Sequence, residues 1–178
     1  MYQTHEEVDM TKPVPKIFGF NKSIAPFTTK QNRVFFDMLK HNLKPTSKVL
    51  RTDNKREGKI IWFEYSPKDT KHIWDRRPLV LVLSISKTYL LGINLHWISL
   101  HDRQVLINLI LTLNMKSNKT FKVPLEFSYP MLKEYMKGWT ELKKCIHVYI
   151  RKRMSTKACL IHPKYFMDIA RLKLENFK

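Results

Sequence analysis

The amino-acid sequence predicts an α+β fold, with a small curled antiparallel sheet packed by several helices. Residues 59–98 contain three apolar or β-branched runs separated by polar turns, which is typical of strands. Residues 28–42 and much of 99–178 instead place apolar side chains at helical spacing. Because the chain has 178 residues, 43% of them hydrophobic, it is long and apolar enough for one packed domain.

The N-terminal part is predicted to form an arm over residues 1–27, before a single domain over residues 28–178. The arm contains three prolines and a glycine and shows no sustained period. A helix is predicted to follow, capped by Thr28 or Thr29. Its apolar face holds Val34, Phe35, Met38 and Leu39. Residues 44–58 are polar, rich in turn formers and basic, and are predicted to be a loop.

The centre of the chain, residues 59–98, is predicted to hold strands over 59–66, 78–86 and 88–95. The second run is almost continuously apolar, which predicts burial on both of its faces. Only Lys87 separates it from the third, so we expect a hairpin. Gly92 within the third run indicates a bulge or a close approach of backbone.

Residues 99–178 are predicted to be mainly helical, starting from an N-cap at Ser99. The first helix has an apolar stripe made of Val105, Leu106, Leu109, Ile110 and Leu113. Further helices are predicted from Pro130 and from Trp139 to Ile150. A short strand over 158–161 and a last helix from Pro163 to about Glu175 complete the domain.

The charge is the most unusual property of the sequence. Lys and Arg number 33 against 15 acidic residues, giving a formal net charge of +18. The excess is spread over both halves of the chain, so the folded surface itself must be positive. Such a surface favours a polyanionic partner, either nucleic acid or acidic protein. The competing interpretation is a basic composition without a binding role.

Catalytic and metal-binding patterns are not apparent in the sequence. It has no glycine-rich phosphate loop and no visible pair of catalytic carboxylates, so we expect a non-enzymatic protein without cofactor or metal. The only cysteines, Cys145 and Cys159, lack zinc-ligand spacing and are expected to be free thiols. His96, His101 and Asp102 suggest a general-base arrangement, but a structural histidine at a strand end is the favoured interpretation.

A run of cations provides the first candidate nucleic-acid site. Arg151, Lys152 and Arg153 end the helix predicted from Trp139, and Lys143 and Lys144 precede them by about two turns. We expect some of these five to share a face that contacts phosphates. Stabilisation of the helix C-terminus is the alternative, but it explains one or two cations rather than five.

A second candidate is the pair Arg76 and Arg77, which lies between Trp74 and Pro78. Arginine beside an aromatic ring can stack on a base or pair with phosphate. The favoured alternative is structural, with Asp75 pairing locally with one arginine while Trp74 seals an end of the sheet.

Two motifs occur in order in the centre of the chain. They consist of Trp74, Asp75, Arg76, Pro78 and Leu79, then Gly92, Asn94, His96, Trp97 and Ile98. Together with the ending HPKYFMDIARLKLENF, this pattern resembles small virion proteins of tailed bacteriophages, although their first position is often Tyr. The resemblance covers about half of the chain. It implies an SH3-like barrel, with its core at about 59–98, in a phage particle or its assembly, and transfers no site residue.

Charge and resemblance together favour a non-enzymatic phage structural protein in the virion, as a tail, connector or internal component. We expect it to contact DNA or acidic neighbouring subunits, to assemble with other virion proteins as an oligomer, and to have no membrane partner. It would be made in the host cytoplasm and kept in the particle. The alternative is a phage DNA-binding factor in packaging, DNA-end protection or replication, and a ribosomal protein is a weaker third choice.

Overall fold

A computed structural model describes residues 25–50, 58–67, 75–117 and 139–173 of the chain. Most of the arm predicted for residues 1–27 lies outside the described residues, as do Trp74 and the helix predicted from Pro130. The described part has the predicted α+β architecture, which is therefore confirmed.

The sheet has five antiparallel strands in the order β4-β3-β2-β1-β5. Their bounds are β1 Ile60–Tyr65, β2 Leu79–Ile85, β3 Tyr89–Asn94, β4 Ile146–Ile150 and β5 Met154–Leu160. The predicted hairpin joins β2 to β3, and the Ser86 amide donates to the Tyr89 carbonyl at 2.9 Å. The first three strands thus confirm the sequence prediction for the centre of the chain.

The sheet is strongly curled, as its connections require. A flat five-stranded sheet would hold β4 and β5 about 19 Å apart, whereas the chain from Ile150 to Met154 spans at most about 14 Å. That link is a 3-10 turn, Arg151–Arg153. The rings of Tyr65 in β1 and Tyr149 in β4 also lie 5.2 Å apart, although two strands separate them in the sheet.

The curled sheet is open rather than a closed barrel. β4 pairs only with β3, and β5 pairs with β1, so the two edge strands are not paired with each other among the described residues. The barrel implied by the resemblance is therefore not observed there. The alternative of a small curled antiparallel sheet packed by helices is the one confirmed.

Both faces of the sheet are buried. The concave face encloses a cluster formed by Ile61, Phe63, Tyr65, Val80, Val82, Leu90 and Tyr149, with Val49 and Leu50. The other face packs against helices through Ile60, Trp62, Leu79, Leu81, Leu83 and Ile93. Since β2 contributes to both clusters, its continuous apolar run is explained, as predicted.

The α-helices within the described residues are α1 Thr29–Asn42, α2 Leu100–Ser117, α3 Thr140–Lys144 and α4 Phe166–Ala170. Thr28 caps α1 in a capping box with Gln31, and Ser99 accepts the Asp102 amide at the start of α2, as predicted. The inward face of α2 includes Leu106 and Ile110, whereas Val105 and Leu109 are only half-buried. The buried face of α2 is therefore rotated about the helix axis relative to the predicted apolar stripe, and the two overlap only in part.

Arg103 in α2 is the largest buried polar side chain among the described residues, fully enclosed between α2 and the C-terminal segment. Its guanidinium donates to the carbonyls of Leu95, at 2.7 Å, and of Leu172. Burial lowers the pKa of Arg103 to about 10, so it stays protonated at neutral pH. A positively charged side chain thus joins three parts of the chain from within the core.

The helix predicted from Trp139 to Ile150 is wrong. Only α3 is helical, and the following residues IHVYI form edge strand β4. Four of these five residues are β-branched or aromatic, and the strand alternates, with Tyr149 buried and Val148 and Ile150 exposed. The predicted last helix is likewise shorter, and the predicted strand at 158–161 begins already at Met154.

Gly92 in β3 confirms the predicted close approach of backbone. A Cβ atom at this position would lie 2.2 Å from Val80 Cγ1 and 2.8 Å from the Leu81 carbonyl oxygen. The register between β2 and β3 also shifts beside it, between Val82 and Ser84. Only a residue without a side chain fits here.

Candidate nucleic-acid interface

The cations Arg151, Lys152 and Arg153 form the turn between β4 and β5, not the end of a helix as predicted. The Arg151 amide donates to the Thr88 carbonyl at 2.9 Å, and its guanidinium donates to the Ser86 carbonyl at 3.0 Å. On the other side, the Ser66 amide donates to the Arg153 carbonyl at 2.9 Å. The turn is thus fixed between the β2–β3 hairpin and the end of β1.

Lys143 and Lys144 are not part of this cluster, so the expected group of five cations is split. They end α3, and the five residues of β4, about 17 Å of strand, separate them from the turn. Lys144 also pairs with Glu141 at 2.7 Å. The helical spacing on which the grouping depended does not exist after Cys145.

Arg76 and Arg77 precede β2 and have different surroundings. The Asp75 carboxylate accepts the Arg77 amide at 2.9 Å, and the Arg77 guanidinium lies 3.5 Å from Glu64. The favoured structural interpretation therefore fits Arg77, although Asp75 contacts its backbone rather than its charge. The side chain of Arg76 is exposed, while its carbonyl accepts the Tyr65 amide at 2.9 Å.

These backbone contacts place one set of cations along the Arg151–Arg153 turn, with Arg76 across β1 from Arg153 and Lys87 beside the hairpin residues that bond Arg151. We call this set the basic end; it consists of Arg76, Lys87, Arg151, Lys152 and Arg153. Arg76 and Arg153 flank β1 on its two sides, about 10 Å apart across two strand spacings. Within the described residues, no acidic side chain lies within 4 Å of any of these charged groups.

Lys87 belongs to the basic end although the sequence marked it only as the separator between two strands. It is exposed at the tip of the β2–β3 hairpin, beside the residues that hold Arg151. Cations at a hairpin tip are a usable signal for a binding surface. Placing Lys87 next to Arg151, however, requires the long-range contact to β4.

A buried polar network supports the loop that carries Arg76 and Arg77. Asp75 Oδ2 lies 2.7 Å from His96 Nδ1 and accepts the Asn94 side-chain amide at 3.1 Å. The Asn94 oxygen in turn accepts the His96 amide at 3.0 Å. The two sequence motifs therefore meet in space through Asp75, Asn94 and His96.

The general-base arrangement of His96, His101 and Asp102 is not formed. His96 faces Asp75, whereas Asp102 accepts from Ser99 at 2.6 Å and from the Trp139 indole at 3.0 Å. His101 is exposed. The structural interpretation of His96, favoured from the sequence, is the one observed.

The described residues offer no group of three metal-ligating side chains. Cys145 and Cys159 are free and buried, and burial raises the pKa of both thiols. In the part of the chain that the structure covers, no helix is long and apolar enough to cross a membrane.

A groove of about 420 Å³ adjoins the basic end, between the start of β5 and the C-terminal end of α1. Lys40, Arg77 and Lys157 stand at its rim with Glu64, Ser155 and Thr156. The apolar residues of its lining, which we call its floor, are Leu43, Pro45, Trp62, Phe63, Ala158 and Cys159.

Comparison with known proteins gives one family. The family model described as phage T4 terminal DNA protecting protein matches residues 19–178. No curated protein matches the chain, and no solved structure does so either. The matched range includes the whole sheet, the basic end and the groove.

Proposed function

The chain belongs to the family of the phage T4 terminal DNA protecting protein, and on this basis we propose that it protects the ends of linear phage DNA. The family match supports the DNA-end alternative drawn from the sequence better than it supports a purely structural virion role. The match over residues 19–178 is the observation that carries the proposal.

The basic end provides the surface that such a role requires. Arg76, Lys87 and the Arg151–Arg153 turn carry charges that no acid of the described residues neutralises. Duplex DNA presents closely spaced phosphates, and each phosphate neutralised by a lysine or arginine releases counterions and adds affinity. These cations should bind phosphate more strongly than Lys144 and Arg77, because Lys144 and Arg77 are already paired with carboxylates.

The backbone of this surface is already in place before DNA binds. Arg151 is held by Ser86 and Thr88, and Arg153 and Arg76 are both bonded to the end of β1. A fixed backbone lowers the ordering cost of binding. We propose that protection results from occupancy of the DNA end, without a catalytic step, because steric coverage alone blocks an enzyme that must enter at that end.

An exonuclease assay tests the proposal. Linear duplex DNA is incubated with an exonuclease that enters at duplex ends, with and without the purified protein, and the full-length DNA remaining is measured. We expect the protein to preserve the linear DNA. Equal degradation with saturating protein would overturn the proposal.

Two matched double variants locate the surface. Lys152→Gln with Arg153→Gln removes two charges from the basic end, whereas Lys143→Gln with Lys144→Gln removes two from the other end of β4. Arg151 is left intact because its guanidinium holds the hairpin. We expect the first variant to lose most of the protection and the second to keep most of it; the reverse order would reject this surface.

We further propose that the protein stays with the DNA end inside the particle, in contact with other virion proteins. The support is the family's relation to terminal DNA, because a protein bound at a DNA end is carried with that DNA. Mass spectrometry of purified particles should then detect the chain. Its absence from intact particles would exclude a virion location without affecting the exonuclease result.

A further inference from the structure

The groove between α1 and β5 has a composition that differs from the basic end. Its floor is apolar, and three cations, the Glu64 carboxylate and two hydroxyl groups complete its lining. Its volume of about 420 Å³ falls within the range of about 300–1,000 Å³ that is typical of small-molecule sites. A ligand that suits it combines an apolar surface with a negative charge.

The cations at the rim are available in different degrees. Lys157 is exposed, and no acid of the described residues lies within ion-pair distance of it. Lys40 lies 3.3 Å from Asp37 and Arg77 lies 3.5 Å from Glu64, each pair being about half exposed. Exposed pairs of this kind contribute less than about 1 kcal/mol, so a phosphate can replace the carboxylate partner.

The groove is continuous with the basic end along two chain segments. Arg77 follows Arg76 directly, and Ser155, Thr156 and Lys157 follow the Arg153 turn within β5. The Trp62 indole in the floor donates to the Arg77 carbonyl at 3.0 Å and so fixes one wall. A DNA strand bound at the basic end therefore lies close to the groove, because only one to four residues of the protein chain separate the two surfaces.

A DNA end differs from the interior of a duplex in two chemical features. Its last base has a face that no neighbouring pair covers, and its last nucleotide can leave the stack at a lower cost than an internal one. An apolar floor accommodates that base, and cations with hydroxyl groups bind its phosphate. The basic end alone cannot make this distinction, because backbone phosphates occur all along the duplex.

We propose that the groove holds the terminal nucleotide of the DNA, with its phosphate at Lys157, Lys40 and the hydroxyl group of Thr156. This inference rests on the proposed function, and it explains how the protein distinguishes a DNA end from the interior of a duplex. The basic end supplies affinity for duplex DNA, and the groove supplies recognition of the terminus.

The test compares two duplexes of the same sequence. One has open ends, and in the other both ends are closed by hairpin loops. Binding of each to the full chain is measured by fluorescence anisotropy at one fixed salt concentration. We expect the wild-type protein to bind the open duplex roughly tenfold more tightly, as contact with one extra base would give.

Two groove variants and one control complete the design. Thr156→Trp fills the groove, Lys157→Gln removes the unpaired rim cation, and Lys30→Gln removes an exposed charge from the far end of α1. We expect both groove variants to lose the preference for the open duplex while binding the closed one within about twofold of wild type. Lys30→Gln should keep the preference.

The outcomes separate this inference from the proposed function. If both groove variants retain the full preference for the open duplex, the groove does not hold the DNA terminus. A segment of another protein is then the better candidate for the groove, and the proposal of DNA-end protection is unaffected. Equal wild-type binding to open and closed duplexes also overturns the inference. If the wild-type protein binds neither duplex, the proposed function itself fails. Because Lys157 is exposed, Lys157→Gln gives a folded reference even if Thr156→Trp is unstable.

Discussion

The Nδ1 atom of His96 lies 2.7 Å from Oδ2 of Asp75, and both side chains are buried. This contact joins the segment before β2 to the segment after β3, next to the loop that carries Arg76 and Arg77. It gives the two sequence motifs a shared structural role, since one supplies the carboxylate and the other supplies its two side-chain donors.

Replacing Asp75 should be strongly destabilising. Asp75→Ala leaves the His96 ring, the Asn94 side-chain amide and the Arg77 amide without their common acceptor. Since each buried polar group left unpaired costs about 1–3 kcal/mol, the free energy of unfolding should fall by roughly 3 kcal/mol or more. Denaturant unfolding measures this. Asp37→Ala, which removes an exposed ion pair, should cost less than about 1 kcal/mol; equal effects would contradict the structural role of Asp75.

Adding a methyl group at Gly92 should also destabilise the sheet. In Gly92→Ala the new carbon meets Val80 Cγ1 and the Leu81 carbonyl oxygen, so backbone must shift, at a cost of roughly 1–3 kcal/mol. Thermal or denaturant unfolding provides the measurement. The double variant Gly92→Ala/Val80→Ala should be less destabilised than the sum of the two single variants. It removes the clash with Val80 Cγ1 but keeps the clash with the Leu81 carbonyl oxygen. Purely additive effects would argue against this packing.

The protein should become less stable as the pH falls below about 6.5, partly because of His147. Burial lowers the pKa of His147, against a smaller opposing effect of Asp75. Near pH 6.5 the unfolded chain therefore binds a proton at His147 that the folded chain does not bind. This proton binding stabilises the unfolded state relative to the folded state. In His147→Gln the fall in stability between about pH 7 and 5 should be smaller than in wild type.

The control for His147 is His41→Gln, because His41 is exposed on α1. Its unfolding free energy should follow the wild-type pH profile. If the two glutamine variants have the same profile, burial of His147 does not contribute to the acid sensitivity.

Lys87, which only the structure assigns to the basic end, should contribute to DNA binding. Lys87→Gln should weaken binding to duplexes of any sequence and reduce the slope of log affinity against log salt by about 0.9, the value for one phosphate contact. A salt titration of binding gives this slope directly. Lys143→Gln, at the other end of β4, should leave it unchanged; an unchanged slope in Lys87→Gln would remove this residue from the interface.

The parts of the fold that the sequence predicted depend on local signals. The capping box at Thr28, the cap at Ser99 and the hairpin around Lys87 all involve residues within a few positions of each other. Strand β4 was missed because Leu142, Ile146 and Tyr149 fit helical spacing equally well. Pairing with β3, which is distant in sequence, selects the strand.

The same limit applies to the candidate site. Arg151–Arg153 and the pair Arg76 and Arg77 were recognisable in the sequence as runs of consecutive cations. Their grouping with Lys87, and the separation of Lys143 and Lys144, depend on which strands pair. The groove was not predictable, since its walls come from α1, β1, β5 and the segment before β2.

The edge strand β5 comes from the C-terminal part of the chain, and this has a consequence for folding during synthesis. β5 pairs with β1, through Ile61 and Leu160 among others, and Asn32 in α1 bonds to Lys173, 141 residues later. Contacts so distant in sequence slow folding, and they cannot form until the C-terminal segment has left the ribosome. Until then one edge of β1 is unpaired and Phe35 in α1 lacks its contact with Tyr165. Nascent or truncated chains ending before Met154 are therefore expected to aggregate or to need a chaperone.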